Sequence, residues 1–423
     1  MENKRVLILS VGCWNRKTGS DTFSSLMAGY GAEKVANIYI REDLPDSDVC
    51  SNYFRISENA VIKSLFKRGV KTGERVEATV SEEISDNAAA SAERYKKYSA
   101  KRSYLLLYAR ELIWKFGRWK TPELDKFIEE FKPETVFFSM EGYIHLDRIA
   151  RYVIKKTGAK GVGYFWDDNF TYKQSKSFGQ NFYRFFQRRE LKKCVKACLE
   201  FFAITPKTKQ EADEFFGTDC KILTKPIKTE GGFVSYEPKT PLKILYTGKL
   251  IIGRYDTVKV VGEALDRLNV DGVKAELDVY TTTELSAEQK ETLSPFVHIL
   301  GAIPQNEVAD KQNAADILLF AEAISGEASK IARLSFSTKI TDYLRSGKCI
   351  LAVGDLETAP MEYLRDEDAA LVADNAEGIF ESLSLLCENR ELVLEYAKKA
   401  HDCGIRNHKK EDIQKLLFDT LNS

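Results

Sequence analysis

Between Phe336 and Asp355 the chain reads FSTKITDYLRSGKCILAVGD, and no other stretch restricts the fold so tightly. Ser337 and Thr338 are hydroxyl residues suited to an N-cap. The apolar residues after them keep helical spacing, and Gly347 is placed to stop the helix. CILAV then supplies a buried strand. A helix feeding directly into a wholly apolar strand belongs to a parallel α/β sheet covered by helices on both faces. Ser337, Thr338 and Lys339 thus fall at a helix start, where unpaired N–H groups and the positive end of the helix dipole favour an anion. A diphosphate suits that position.

The same alternation runs through the rest of the chain. Lys4 to Ser10 reads as a strand, followed by the loop VGCWNRKTGSDTFSS and a helix ending near Gly29 and Gly31. Val35 to Ile40, Glu134 to Ser139, Ala159 to Phe165, EFFAIT and CKILT read as further strands, with helical stretches between most of them. Gly12 and Gly19 lack G-x-G-x-x-G spacing, which argues against a nicotinamide-type fingerprint. PIKTEGGFVSYEPKTP has no periodicity and reads as a linker, after which strand and helix restart at LKILYTG. This divides the chain into residues 1–235 and 236–404, each expected to be Rossmann-like, with 405–423 containing a last helix from Glu411 to Leu421.

Equal numbers of basic and acidic residues, 63 of each, give a net charge of zero and remove bulk charge as a basis for nucleic-acid binding. No apolar stretch is long enough to span a bilayer, and none reads as a secretory signal. The eight cysteines are dispersed, a pattern expected of reduced thiols in the cytoplasm. Cys194 and Cys198 are four apart on an expected helix but have no neighbours to complete a metal site, so no metal is expected. Asp46-Ser47-Asp48 spells D-x-D, and beside Pro45 it reads as a solvated acidic turn.

The run S-T-K-x-x-D-Y-L-x-S-G-K before an apolar strand resembles the C-terminal domain of GT-B glycosyltransferases, and is most similar to the retaining family 4 group. The resemblance implies two doubly wound domains facing a central cleft, with the donor held by the C-terminal domain and the acceptor by the N-terminal one. It implies that Asp342, at the second acidic position of the family's glutamate-x7-glutamate motif, holds the donor ribose. Leu334 stands at the first. It further implies that the loop after the first strand of the second domain, Gly248 with Lys249 and Arg254, holds the donor phosphates, and that the last helix crosses back to the N-terminal domain. The expected substrate is a UDP- or GDP-linked sugar, with no separate cofactor. The expected product is a cell-surface polysaccharide or glycolipid, made from a saccharide or lipid-linked acceptor.

Residue-level expectations follow from position as well. Trp166-Asp167-Asp168-Asn169 falls at a strand's carboxyl end, where open α/β sheets bind ligands, so Asp168 is expected to orient the acceptor with Asp167 beside it. A turn or capping aspartate is the alternative. Trp14 and Arg16, in the first loop, either touch the acceptor or belong to an ordinary surface loop. Glu327 is the best-placed acid in the loop Ala321 to Ser335, a natural donor-sugar loop. His145 is expected to be structural. The basic and aromatic segments Tyr95 to Lys120 and Phe182 to Lys196 fit either an interfacial surface on anionic membrane, with Ile113, Trp114 and Trp119 inserted, or core helices with solvated basic faces. Two rival functions share much of this pattern: a sugar-nucleotide epimerase, which would want more cleft histidines than a chain with four supplies, and a two-lobed saccharide binder without catalysis.

Overall fold

The computed structural model describes residues 2–15, 22–78, 104–228 and 231–423. Arg16 lies outside them, as do residues 95–103 of the first basic segment.

Two sheets organise the chain. The first has eight strands: β1 (Val6–Ser10), β2 (Val35–Tyr39), β3 (Asn52–Ile56), β4 (Gly73–Val76), β5 (Thr135–Ser139), β6 (Lys160–Phe165), β7 (Glu200–Ala203) and β8 (Lys221–Ile222). Their order is β4-β3-β2-β1-β5-β6-β7-β8, parallel except for β4 against β3. The second is a six-stranded parallel sheet of β9 (Leu242–Thr247), β10 (Ala275–Tyr280), β11 (Val297–Gly301), β12 (Ile317–Ala321), β13 (Cys349–Val353) and β14 (Leu371–Ala373), ordered β11-β10-β9-β12-β13-β14. β1, β2, β5, β12 and β13 are buried along their whole length, as strands between two helix layers must be. In both sheets the chain starts in the middle and winds both ways, so a crevice opens beyond the strand ends where the direction reverses.

Local chemistry sets the element ends. The Thr338–Ser346 helix stops at Gly347, which takes the left-handed conformation (φ +59°) that a residue with a Cβ disfavours. Thr205 caps the Pro206–Phe216 helix by accepting from the Thr208 N–H, with proline in the first turn. The loop Ala321 to Ser335 departs from expectation in containing a short helix, Gly326–Ile331.

The chain crosses between the sheets in two places. Ile227 and Lys409 pair side by side, the Ile227 N–H donating to the His408 carbonyl and the Lys410 N–H to the Ile227 carbonyl. Beyond this point the helix Lys410–Asn422 lies against the first sheet. Thr135 Oγ1 donates to the Leu421 carbonyl (2.9 Å), and Phe418 meets Tyr30 edge-on at 4.9 Å.

Candidate functional site

The start of the Thr338–Ser346 helix lies beside the end of β9. Ser337 holds the N-cap position in extended conformation, yet its hydroxyl caps none of the first-turn N–H groups. Lys339 points back under the β9 loop. Its Nζ donates to the Tyr246 hydroxyl (3.2 Å) and sits 4.6 Å from the centre of the same ring. Gly248 makes this possible. At φ +147°, a Cβ there would lie 2.2 Å from the Lys339 Nζ, so any side chain would displace the ammonium. No carboxylate lies within ion-pair distance of Lys339 among the described residues. Burial lowers its pKa to about 8, the nearby Arg254 charge pushes the same way, and Glu322 opposes them.

Arg254, the other expected phosphate ligand, is already engaged. Its Nε and Nη2 donate to the two oxygens of buried Glu322 at 3.1 and 2.8 Å, a bidentate pair. Lys249 is exposed at the same loop, with its carbonyl accepting from the Tyr246 hydroxyl (2.9 Å). Asp342, one turn beyond Lys339, pairs with Lys225 at 3.4 Å. Thr338 is exposed beside them. Glu327 is exposed on its short helix and pairs with Lys330 at 2.9 Å, a local contact between side chains three apart.

At the first sheet the structure separates two adjacent aspartates. Asp168 is fully buried; it accepts from the Thr171 N–H (3.0 Å), the Thr171 hydroxyl (2.5 Å) and Arg333 Nη2 (2.7 Å). This corrects the expectation that Asp168 meets the acceptor: the turn role has taken its oxygens. Asp167 instead lines a cavity. Its Oδ1 accepts from the Ser335 hydroxyl, and burial raises its pKa, with the Asp168 charge adding to the rise. Trp14 is a second correction, since it is buried in the core with Phe23, Met27 and Tyr53 and presents no surface to an acceptor. Its size and the apolar faces of β1 and β2 draw it inward. Of the two readings of the basic segments, lipid insertion or core helices, the burial of Trp114 and Trp119 in the core fits the second, while His145 stacks on Trp114 at 4.7 Å and bonds Glu111 at 2.9 Å.

The stretch Ile331 to Ser335 joins the two halves. Arg333 reaches Asp168, Thr171 and Glu211; Gln174 donates to the Ile331 carbonyl (3.2 Å); Thr208 donates to the Leu334 carbonyl (3.2 Å). Leu334 itself is fully buried in one apolar cluster with residues of the first domain such as Phe165, Phe170 and Phe201. Burying one leucine so fully contributes about 1.5–3 kcal/mol. The position where the glutamate motif would begin therefore holds an apolar anchor. Arg333, Ser335, Glu322 and Lys225 went unnoticed in the sequence because their partners lie far along the chain; only the charge of Arg333 beside an apolar residue hinted at a paired role.

Between these parts lies a cavity of about 290 Å³ lined by Trp166, Asp167 and Lys225 from one side and Ser335, Phe336 and Thr338 from the other, with Thr22 and Ile204. Its size is near the lower end of the roughly 300–1,000 Å³ usual for small-molecule sites. Comparison with solved structures decides the architecture. HepE from Anabaena, solved with UDP, superposes over 99% of both chains with a TM-score of 0.59 at 10% identity. WaaG, a glycosyltransferase involved in lipopolysaccharide biosynthesis, does so over 99% of this chain and 100% of its own, with a TM-score of 0.54 at 13% identity. The fold is GT-B. TarM is also similar, with 11% identity and a TM-score of 0.53, over 70% of this chain and 57% of TarM's length. No protein-family model and no curated sequence matches the chain. In this GT-B frame the Lys339 helix start belongs to the second sheet and Asp167 to the first, with the cavity between them. Among the described residues no cluster of His, Cys, Asp and Glu is arranged to hold a metal, and no helix is long and apolar enough to cross a membrane.

Proposed function

We propose that this chain is a glycosyltransferase that moves a sugar from a UDP- or GDP-linked donor to a saccharide or lipid-linked saccharide. The observation that carries the reading is the pair of neighbouring cations at the helix start. Arg254 is neutralised by Glu322, but Lys339 is half-buried at an uncapped helix N-terminus, with no carboxylate in ion-pair reach among the described residues. Gathering positive charge there without an anion is unfavourable, and a diphosphate reverses the sign. During transfer the nucleoside diphosphate leaves with growing negative charge, which preorganised donors in a closed cleft stabilise. Lys339 and the first-turn N–H groups do this directly, Lys249 from the rim, and Arg254 through whatever capacity Glu322 leaves it. That charge supply makes a metal-independent reaction reasonable.

Asp342 binds the ribose, exchanging its contact with Lys225 for the hydroxyls, and Ser337 and Thr338 contact the diphosphate. Asp167, its pKa raised by burial, faces the acceptor in the place first given to Asp168. Retention at the anomeric carbon rests on the likeness of the Ser337–Lys348 run to retaining enzymes. A role in cell-surface polysaccharide or glycolipid synthesis, on the cytoplasmic face of a membrane, is supported by what WaaG does and by exposed apolar residues such as Leu105, Phe116 and Phe178.

A thermal-shift panel of UDP, GDP, their sugars and free saccharides tests the reading. A ligand at 100 times its Kd stabilises by about 2.7 kcal/mol, so a nucleoside diphosphate should raise the melting temperature clearly. Response to saccharides alone would favour the two-lobed binder. Interconversion of the donor sugar without any acceptor would favour the epimerase.

A further inference from the structure

A second cleft, of about 790 Å³, lies away from the one between the sheets, in the first domain between the end of the Tyr104–Phe116 helix and the helices Ile144–Thr157 and Phe178–Val195. It shares no lining residue with the interdomain cavity. Eight of its fifteen lining residues are Lys or Arg and one, Glu190, is acidic. In a chain of zero net charge that local excess needs an explanation.

Neighbouring groups balance only part of it. Glu190 is buried and holds Arg151 and, at 3.1 Å, Lys193. Arg148 Nη1 is 4.0 Å from Glu111, within ion-pair but beyond hydrogen-bond reach, and is buried with no hydrogen-bond partner among the described residues. Lys155 and Arg189 are exposed and have no carboxylate within ion-pair distance among the described residues. Two further donors on lining residues are buried with no hydrogen-bond partner among the described residues: Arg151 Nε and the indole Nε1 of Trp114. Buried N–H groups are rarely left unpaired, so donors of this kind around a cationic cleft call for an acceptor from outside.

We propose that this cleft binds a ligand carrying clustered phosphate groups, at a site separate from the donor site. A single carboxylate is a poor match for so many cations, whereas adjacent phosphates offer several acceptor oxygens and a dense charge, and arginine suits them in particular. Such phosphates come either from a soluble polyanion or from a lipid headgroup. The proposal does not depend on glycosyl transfer.

The test is titration calorimetry with inorganic tripolyphosphate at low salt, on the whole chain and three variants. Lys155→Ala/Arg189→Ala should bind about thirtyfold more weakly, each exposed cation contributing as a basic residue does beside an anionic surface. Lys339→Ala and the control Lys290→Ala should retain this binding. Because neither Lys155 nor Arg189 has a carboxylate partner among the described residues, the melting temperature of the double variant should match the parent. Equal affinity in parent and double variant overturns the proposal, as does loss confined to Lys339→Ala, which would move the anion to the donor site. Co-sedimentation with phosphatidic acid vesicles against phosphatidylcholine vesicles then identifies the source. Vesicle binding lost in the double variant and displaced by tripolyphosphate upholds a lipid headgroup; tripolyphosphate binding without vesicle binding upholds a soluble anion; response to neither probe overturns the site.

Discussion

Arg333 and Lys339 are six residues apart and both half-buried, yet their surroundings are opposite. Arg333 is enclosed by the carboxylates of Asp168 and Glu211 and the hydroxyl of Thr171, all from the other half of the molecule. Lys339 has a tyrosine ring and hydroxyl, a glycine backbone, and another cation close enough to lower its pKa. A buried charge whose partners are already present fixes architecture. A buried charge whose partners are missing marks a place for a ligand. The chain places the two on either side of Leu334 and Phe336, so the fastening between the sheets and the proposed donor contact share one short stretch of chain.

The largest effect is expected where the partners are complete. Arg333→Ala leaves Asp168 buried without its counter-charge, which in comparable buried pairs costs about 3–5 kcal/mol. The midpoint of urea unfolding, or of the first transition if the domains melt separately, should fall accordingly. A midpoint close to that of the parent would mean that Asp168 is satisfied by Thr171 alone and that the contrast with Lys339 is overstated.

Lys339→Ala should act on the other side of the comparison. Loss of one preorganised contact to a developing charge typically costs about 2.7–4 kcal/mol, or roughly 10² to 10³ in rate. Stability should hold or rise, because a strained charge has been removed. Turnover measured with the nucleotide sugar found by the ligand panel gives the answer; an unchanged rate would leave the helix start as architecture.

How far these roles could be read from residues alone differs between the two. The helix from Thr338, its glycine stop and the apolar strand after it are local facts, written in capping and periodicity, and the position of Lys339 at a helix start follows from them. Partners are not local. Glu322 lies 68 residues from Arg254, and Glu211 lies 122 from Arg333, so nothing in the sequence says which basic residue is neutralised. Asp167 and Asp168 are neighbours that differ only in which way the chain turns after β6. The polar loop around Trp14 suggests a place at the surface, although an aromatic of that size is more often covered, as Trp14 is. Residues 49 to 78, which hold β3, β4 and the Glu58–Ser64 helix, lack a clean apolar alternation and gave no comparable signal.

A pH series sharpens the contrast further, because it reads Lys339 without removing it. A diphosphate favours the charged ammonium, so donor affinity should be level below about 8, the pKa of the free site, and fall above it. The limiting slope is about tenfold per pH unit until the bound-state pKa is reached. Stability runs the other way. The folded pKa lies below the unfolded one, so between about 8 and 10.5 the unfolded chain binds more protons and the unliganded protein gains stability from this group as pH rises. Lys339→Arg should bind donor with no break near pH 8. A break that survives in that variant would assign the titration to another group.

The smallest effect is expected at Asp342, where each description of the molecule makes a different forecast. In the unliganded protein its carboxylate is about one-third exposed and meets Lys225 at 3.4 Å, a contact long enough and wet enough to be worth only about 0–1 kcal/mol. Asp342→Asn should therefore leave the unfolding midpoint nearly unchanged. As a ribose ligand, however, the carboxylate accepts charge-assisted hydrogen bonds that an amide replaces poorly, so donor affinity should drop by about 1.5–3 kcal/mol. If ground state and transition state hold the ribose alike, KM rises while kcat stays close to the parent value. Lys225→Met separates the two contributions: it frees Asp342 without touching the ribose, and should tighten donor binding slightly or leave it alone. Weaker binding in Lys225→Met than in Asp342→Asn would make Lys225, at the crossing between the sheets, the group that contacts the donor, and would move the boundary between fastening and binding site one turn further along the helix.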